Sequence, residues 1–512
     1  MARFLVLLLL AGSPIILQSQ QLASAYTDGS FTWNLKSQCN QKGSTGREKP
    51  EALLGAVMWT KGDTLFLFGG GTKDLSGGSY TDFKLSNRLW IYDKDTWSFW
   101  KGSPGYVSGW GSPNYEGSST FSYGQQGVTS TANFPGARVS AAYASSPDGT
   151  LYMYGGYGLC KTSSGNTVDV IEDLWMFDGT NWTSLMDGIS TLTPSHGTMG
   201  VPNSSNSPGG RAGASLWYDN GFLYLYGGTL LQNIPYSNNL QPTVAFNDLW
   251  QYELASGLWT WIGGSSSGST GATYSGSAYT YPQDLTEMAH CFDSNGDLYL
   301  YGGWTTNGSV QECNTFWKYN GSSWTLLSGD PTNASNPNGS LPGAQSGGQL
   351  IEHDGSLYLI GTSQSPNSVF RWDGSSWSLF KSCNAPSSGG NLQIAYDKEA
   401  CPGNVISYAS SCSWKGETYL FGGTNVSSGD YSSTLYKFNG QNFAFESSSG
   451  LNNYAFQYAN SAMISFPGGL NRAAWTYDEQ SQSLYLYGGD SYDPGYHSNL
   501  WKYQNGDWIW LT

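Results

Sequence analysis

Apolar and aromatic residues alternate along one short stretch that the chain repeats. Leu-Tyr-Leu-Tyr-Gly-Gly stands at Leu223–Gly228, Leu298–Gly303 and Leu484–Gly489. Variants stand at Leu65–Gly70, Leu151–Gly156, Leu357–Thr362 and Thr418–Gly423. A period of two predicts a strand with aromatics on one face and aliphatics on the other. Its recurrence predicts one body built from repeated units rather than several unrelated domains.

The flanks of each copy complete a four-part unit. A moderately apolar strand such as Ala212–Tyr218 comes first. A tight turn follows, with Asp148-Gly149, Asn220-Gly221 or Asp354-Gly355 supplying the positive φ of a two-residue hairpin. The Leu-Tyr-Leu-Tyr-Gly-Gly strand is next, then a loop of variable length. A third strand of Leu-Trp-x-Tyr type comes after it, as at Leu89–Tyr92, Leu174–Phe177 and Leu249–Tyr252. A fourth carries Trp97, Trp182, Trp259, Trp324, Trp377, Phe443 or Trp508.

The Gly-Gly doublet, the downstream Tyr and the following Trp resemble the kelch repeat, over about residues 51–512. The resemblance implies an all-β fold: a seven-bladed kelch-type β-propeller with four antiparallel strands per blade. The units run about 51–100, 138–185, 211–262, 286–328, 347–381, 404–446 and 472–512. Arg47, Arg138, Arg211 and Arg472 match the family's Arg before the first strand, Gln345 replaces it, and the fourth and sixth units lack it. Phe31-Thr32-Trp33, within residues 26–50, reads as a surplus strand. Three placements are open for it: beside the last blade, in place of the C-terminal strand, or paired with another molecule in self-association.

Successive antiparallel strands send alternate connections to opposite faces. The first-to-second and third-to-fourth turns are short, whereas the second-to-third loops and the crossings between units are long. The long class therefore converges on one face, where repeat proteins place their binding surface. The ligand-face candidates there are Tyr80, Tyr106, Trp110, Tyr115, Tyr123, Tyr274, Tyr279, Trp304, Tyr492, Tyr496 and His497. Each of them also has the plainer reading of an aromatic that pins its loop to the blades.

Residues 1–25 read as a secretory signal, with Arg3 ahead of an apolar run and Ala23-Ser24-Ala25 ahead of Tyr26. The mature chain is expected to be secreted and to have no membrane span. Sequons at Asn181, Asn203, Asn307, Asn320, Asn333, Asn338 and Asn425 agree with that compartment, a subset being expected to carry glycan. Seven cysteines follow the signal, an odd number without C-x-x-C spacing. Cys383 with Cys401, and Cys39 and Cys160, are the disulfide candidates on the loop-rich face. A net charge of −15 argues against nucleic acid and anionic membranes.

Some secreted kelch propellers are copper radical oxidases similar to galactose oxidase, and others act on sialic acids. The chain has four histidines, of which His196 and His497 lie in long loops while His290 and His353 fall at or near first strands. No spacing joins the two loop histidines into a metal motif, and basic residues in the loops are few. No catalytic residue, metal ligand or cofactor is assigned. The expectation is a non-catalytic binding or scaffold propeller for an extracellular protein or glycan. The alternatives are a carbohydrate-active enzyme or copper oxidase on the same scaffold, and a structural subunit of an extracellular assembly.

Overall fold

The computed structural model describes most of residues 50–511, apart from internal stretches of which the longest are 74–82, 109–120, 231–243, 333–341, 361–367, 383–409, 422–434, 448–472 and 489–498. The architecture given below is that of the unit Thr45–Thr512. Residues 1–25, the Phe31–Trp33 stretch, Arg47, Gln345 and Arg472 lie outside the described residues.

The described residues contain strands and no helix. Seven antiparallel four-stranded sheets succeed one another along them. The first is made of Val57–Lys61, Thr64–Phe68, Leu89–Asp93 and Thr96–Lys101, and the second of Ala142–Ser145, Leu151–Tyr154, Leu174–Phe177 and Trp182–Met186. The third has Ser215–Asp219, Phe222–Tyr226, Leu249–Glu253 and Leu258–Gly263; the fourth Ala289–Phe292, Leu298–Tyr301, Phe316–Tyr319 and Trp324–Ser328. The fifth begins at Gln349–His353, the sixth at Ser410–Trp414 and the seventh at Ala474–Asp478. In each sheet the strands pair in chain order, so the connections alternate between the two ends. The first strand of the third sheet starts at Ser215 rather than Ala212, because Ala212 bridges to Thr229 instead.

Each sheet buries its faces against its neighbours. Val57, Trp59, Phe66 and Phe68 of the first pack with Leu151, Met153, Trp175 and Trp182 of the second. Comparable cores join the second sheet to the third, the third to the fourth and the fourth to the fifth. Phe438 of the sixth packs with Ile351 and Tyr358 of the fifth. Met58, Leu65, Leu67 and Trp90 of the first also pack with Tyr485, Tyr487 and Leu500 of the seventh. Strand alternation thus serves two interfaces: one face of a sheet meets the preceding sheet and the other the following one.

The Gly-Gly doublet has a steric cause. Gly155 and Gly156 have φ of +65° and +97°, and a Cβ would lie 2.6 Å from the Arg211 carbonyl and 2.7 Å from that of Val139. The chain crossing to the third sheet runs directly over the doublet. The Tyr before it explains why an aromatic rather than an aliphatic stands there. The hydroxyls of Tyr154, Tyr226 and Tyr301 donate to the carbonyls of Gly209, Gln283 and Pro342 at 2.8, 3.1 and 2.8 Å. Each ring is buried, and its one polar atom fastens its sheet to the crossing into the next.

A second glycine position ends the fourth strand. Gly264 has φ of +89°, and its Cβ would stand 2.3 Å from the Asn247 carbonyl. Gly221, in a hairpin turn, has φ of +88° with nothing within 4 Å. Gly221→Ala should cost the backbone term alone, about 1–2 kcal/mol. Gly264→Ala adds a backbone collision and should lose at least about twice as much in urea denaturation. Equal losses at the two sites would remove the collision from the account.

Candidate functional site

The long connections at one end of the sheets form a second tier. Three of the second-to-third loops rise as ribbons: Tyr157–Thr162 with Gly165–Val170, Thr229–Leu230 with Val244–Ala245, and Trp304–Thr305 with Gln311–Glu312. Beside the first sheet, Gly71–Lys73 pairs with Phe83–Leu85, which also pairs with Val107–Ser108, in a three-stranded sheet of their own. These ribbons have a core of their own. Leu85, Ala137, Val139, Tyr157, Leu159, Val170 and Ala212 are buried together, with Phe121, Val168 and Leu230 against them. The ribbon of the third sheet is tied to that of the fourth, since the Ala245 N–H donates to Thr306 Oγ1 at 3.0 Å. At the other end the connections are tight, and Lys61 Nζ meets Asp148 at 3.1 Å between neighbouring turns.

Under the tier lie two buried clusters of the same design. Arg138 Nη1 and Nη2 donate to the Asp173 carboxylate at 2.5 and 2.7 Å. The Tyr123 hydroxyl (3.2 Å) and the Trp175 indole N–H (2.7 Å) donate to the same group. One sheet further on, Arg211 Nη1 and Nη2 donate to Asp248 at 2.6 and 3.1 Å, His196 Nε2 lies 3.0 Å from it and the Trp250 N–H donates at 2.7 Å. Burial works against the charged Asp248, but the Arg211 guanidinium with the His196 and Trp250 hydrogen bonds outweighs it and holds the pKa below the ordinary carboxylate value. Burial, helped by the Asp173 charge, pushes the Tyr123 phenol far above its ordinary value. His196 is further enclosed by Trp250 and Trp261, at 4.9 and 4.7 Å between ring centres. The fourth sheet has Leu285 and Thr315 at the Arg and Asp positions, and there Gln283 Nε2 donates to Thr315 Oγ1 at 2.9 Å. Both charges are absent together, so neither is left buried alone.

Both clusters hang on loops with one pattern, missed when only strands are read for periodicity. Gly124, Gly127, Val128, Asn133, Pro135, Gly136 and Arg138 recur at the same spacing as Gly197, Gly200, Val201, Asn206, Pro208, Gly209 and Arg211. Each loop lies along the fourth strand of its own sheet. The Gly127 N–H donates to the Ser184 carbonyl and the Gly200 N–H to that of Trp261, both at 2.8 Å. Asn133 and Asn206 Nδ2 donate to the carbonyls of Trp182 and Trp259 at 3.1 and 2.9 Å. The crossings thereby cover strand edges that would otherwise present unpaired backbone.

Of the aromatics singled out on this face, Tyr123 is buried and stacks on Trp175 with ring centres 5.3 Å apart. Tyr274 and Tyr279 pair across the hairpin of Thr273–Ser275 and Ala278–Tyr281, with ring centres 4.9 Å apart in a T-shape. Tyr274 is 58% exposed, while Tyr279 packs on the core of the fourth sheet. Trp304 is half-buried on its ribbon. Tyr80, Tyr106, Trp110, Tyr115, Tyr492, Tyr496 and His497 lie outside the described residues, as do Cys39, Cys383, Cys401, Asn333, Asn338 and Asn425. Cys160 is buried, its Sγ 3.6 Å from the Thr167 carbonyl, and Cys291 and Cys313 are free thiols. Asn203, Asn307 and Asn320 are exposed and Asn181 is half-buried. His290 Nδ1 lies 3.4 Å from Ser215 Oγ.

Among the described residues no three His, Cys, Asp or Glu side chains gather to hold a metal ion, and no helix is long and apolar enough to cross a membrane. What fold and site define is an all-β protein of serially packed antiparallel four-stranded sheets, with a ribbon tier at one end. No protein-family model matches the chain, and no curated protein matches it in sequence.

Proposed function

We propose that the chain is a secreted, seven-bladed kelch-type β-propeller that binds an extracellular protein or glycan through its ribbon tier and performs no chemistry there. The first sheet's packing on the seventh supports closure of the ring. The observation that carries the functional reading is the tier's separate core, shared by the ribbons of three consecutive sheets. Loops that only connect strands need no core, whereas a surface that must keep its shape for a partner gains from one, because order present beforehand is not lost on binding. His196, one of the two loop histidines a copper site would call on, has its Nε2 engaged by Asp248 and its ring enclosed by two indoles.

The test is a binding screen of the secreted chain against glycan and extracellular-protein arrays. Replacement of Lys161–Asn166 by Asn-Gly shortens the longest described ribbon. It should weaken the captured ligand at least about tenfold, the equivalent of about 1.4 kcal/mol. Asn220→Ala, in a turn at the other end, should leave binding unchanged. Binding that responds to the turn and not to the ribbon would place the partner at the other end.

A further inference from the structure

We propose that Asn307 carries an N-linked glycan whose first sugars rest on the ring of Tyr274. The proposal builds on the secreted reading above and takes the Tyr274 ring out of the partner surface. Asn307-Gly308-Ser309 forms the turn of the ribbon Trp304–Thr305 with Gln311–Glu312, and Asn307 is exposed. The stem of that turn is rigidly held. Thr306 donates to Asp284 through its N–H at 2.7 Å and its hydroxyl at 2.6 Å, and Ser269 Oγ lies 2.8 Å from Thr306 Oγ1. The same crossing continues through Gly271 into the Tyr274 hairpin.

Gly271 supplies the second observation. Its φ lies outside the left-handed region, so the backbone does not demand glycine there. A Cβ at this position would meet one group within 4 Å: the Asn307 side chain, with Nδ2 at 2.9 Å and Cγ at 3.7 Å. Glycine therefore keeps clear the nitrogen that a glycan would occupy. Tyr274 is three residues away, within about 10 Å along even a fully extended chain. That is within reach of the first sugars. Tyr274 is presented with little conformational freedom, since it abuts Tyr279 and Tyr279 is anchored on the fourth sheet's core. No Lys, Arg, Asp or Glu stands between Gly263 and Pro282, so a neutral sugar covers the hairpin without desolvating a charge.

The modification is a group transfer. Asn307 Nδ2 bonds to the anomeric carbon of a lipid-pyrophosphate-linked oligosaccharide. The bond from that carbon to the pyrophosphate oxygen breaks, the lipid pyrophosphate leaves, and Nδ2 gives up one proton. Asn203 and Asn320 are internal controls. They are exposed sequons whose Oδ1 atoms accept from neighbouring serines.

The experiment secretes the full chain from a glycosylating host. It maps occupancy by glycopeptide mass spectrometry, then follows release by a peptide-N-glycosidase from the folded protein, site by site. Glycan at Asn307 should come off about threefold to tenfold more slowly than at Asn203 or Asn320, as one aromatic contact would give. Tyr274→Ala should abolish the difference and Tyr274→Phe should keep it. Gly271→Ala should lower occupancy or protection at Asn307 alone. Equal release at all sites, or protection that survives Tyr274→Ala, overturns the seat. Asn307 bare while another sequon is occupied overturns the site. A chain that is not secreted, or bears no glycan anywhere, defeats the secreted reading and this proposal with it.

Discussion

Arg211→Met should be among the most damaging single changes in the molecule, with an expected loss of about 3–5 kcal/mol in urea or thermal unfolding. The guanidinium is fully buried, so its removal leaves the Asp248 carboxylate without its cation in a site closed to water. It also leaves the Gly227 and Pro208 carbonyls, both of which accept from Arg211, short of a donor. The fourth sheet shows how the loss can be offset, since Leu285 and Thr315 occupy the same two positions without charge. Arg211→Leu combined with Asp248→Thr should therefore recover a large part of what Arg211→Met loses. A loss below about 1 kcal/mol for Arg211→Met would show that the pair is dispensable.

The same site predicts a pH dependence. The folded pKa of Asp248 is depressed. Its contribution is complete above the unfolded carboxylate value of about 3.9 and disappears as pH falls from there through the folded pKa. Asp248→Asn should be less stable than the native chain at neutral pH, and its stability should fall less steeply below about pH 4. Parallel curves for the two proteins would mean that the acid sensitivity arises elsewhere.

The second large effect is expected at Trp182. Its indole is fully buried where the first sheet, the second sheet and the crossing between them meet. Ring centres of Phe177, Phe68 and Trp175 lie 4.9, 5.0 and 6.1 Å away, and those of Trp59 and Phe134 6.4 Å each. Trp182→Ala should cost about 3–5 kcal/mol, through lost burial plus a cavity that surrounding rings are too rigid to fill. Trp182→Phe keeps most of the contacts and should cost clearly less. Because Ser130 and Asn133 pair with the Trp182 backbone, loosening this strand should also expose 124–133 to limited proteolysis sooner. Thermal unfolding within about 1 °C of the native chain would contradict this placement.

Most of the strands could be read from the chain, and most of the site could not. Leu-Tyr-Leu-Tyr marks the second strand of three sheets and Leu-Trp or Phe-Trp the third strand of five, because a strand buried on both faces needs large side chains at every position. The first strands are as long as the second but less apolar, so their starts are less well marked, as Ser215 against Ala212 shows. Tyr123 and His196 occupy the same place in their two loops, yet neither belongs to a periodic pattern. Only the partners brought to them by the fold, Asp173 and Asp248, show that they share a role. Its loop position puts Tyr123 on the ligand face, whereas the structure stacks it on Trp175 inside the molecule.

The local chemistry of the chain is enough to determine its strands and its tight turns. Those depend on neighbours a few residues apart: alternation sets the face, and Asp-Gly or Asn-Gly sets the turn. The tertiary structure alone decided what the repeated pieces are for within this chain. A buried Tyr hydroxyl needs an acceptor, a buried Asp needs a cation, and Gly155 needs the absence of a Cβ, each because of backbone or side chains some 35 to 60 residues away. Such contacts are set by which sheet lies against which. They leave no period in the sequence, because packing selects for shape and charge at a point in space rather than at an interval along the chain.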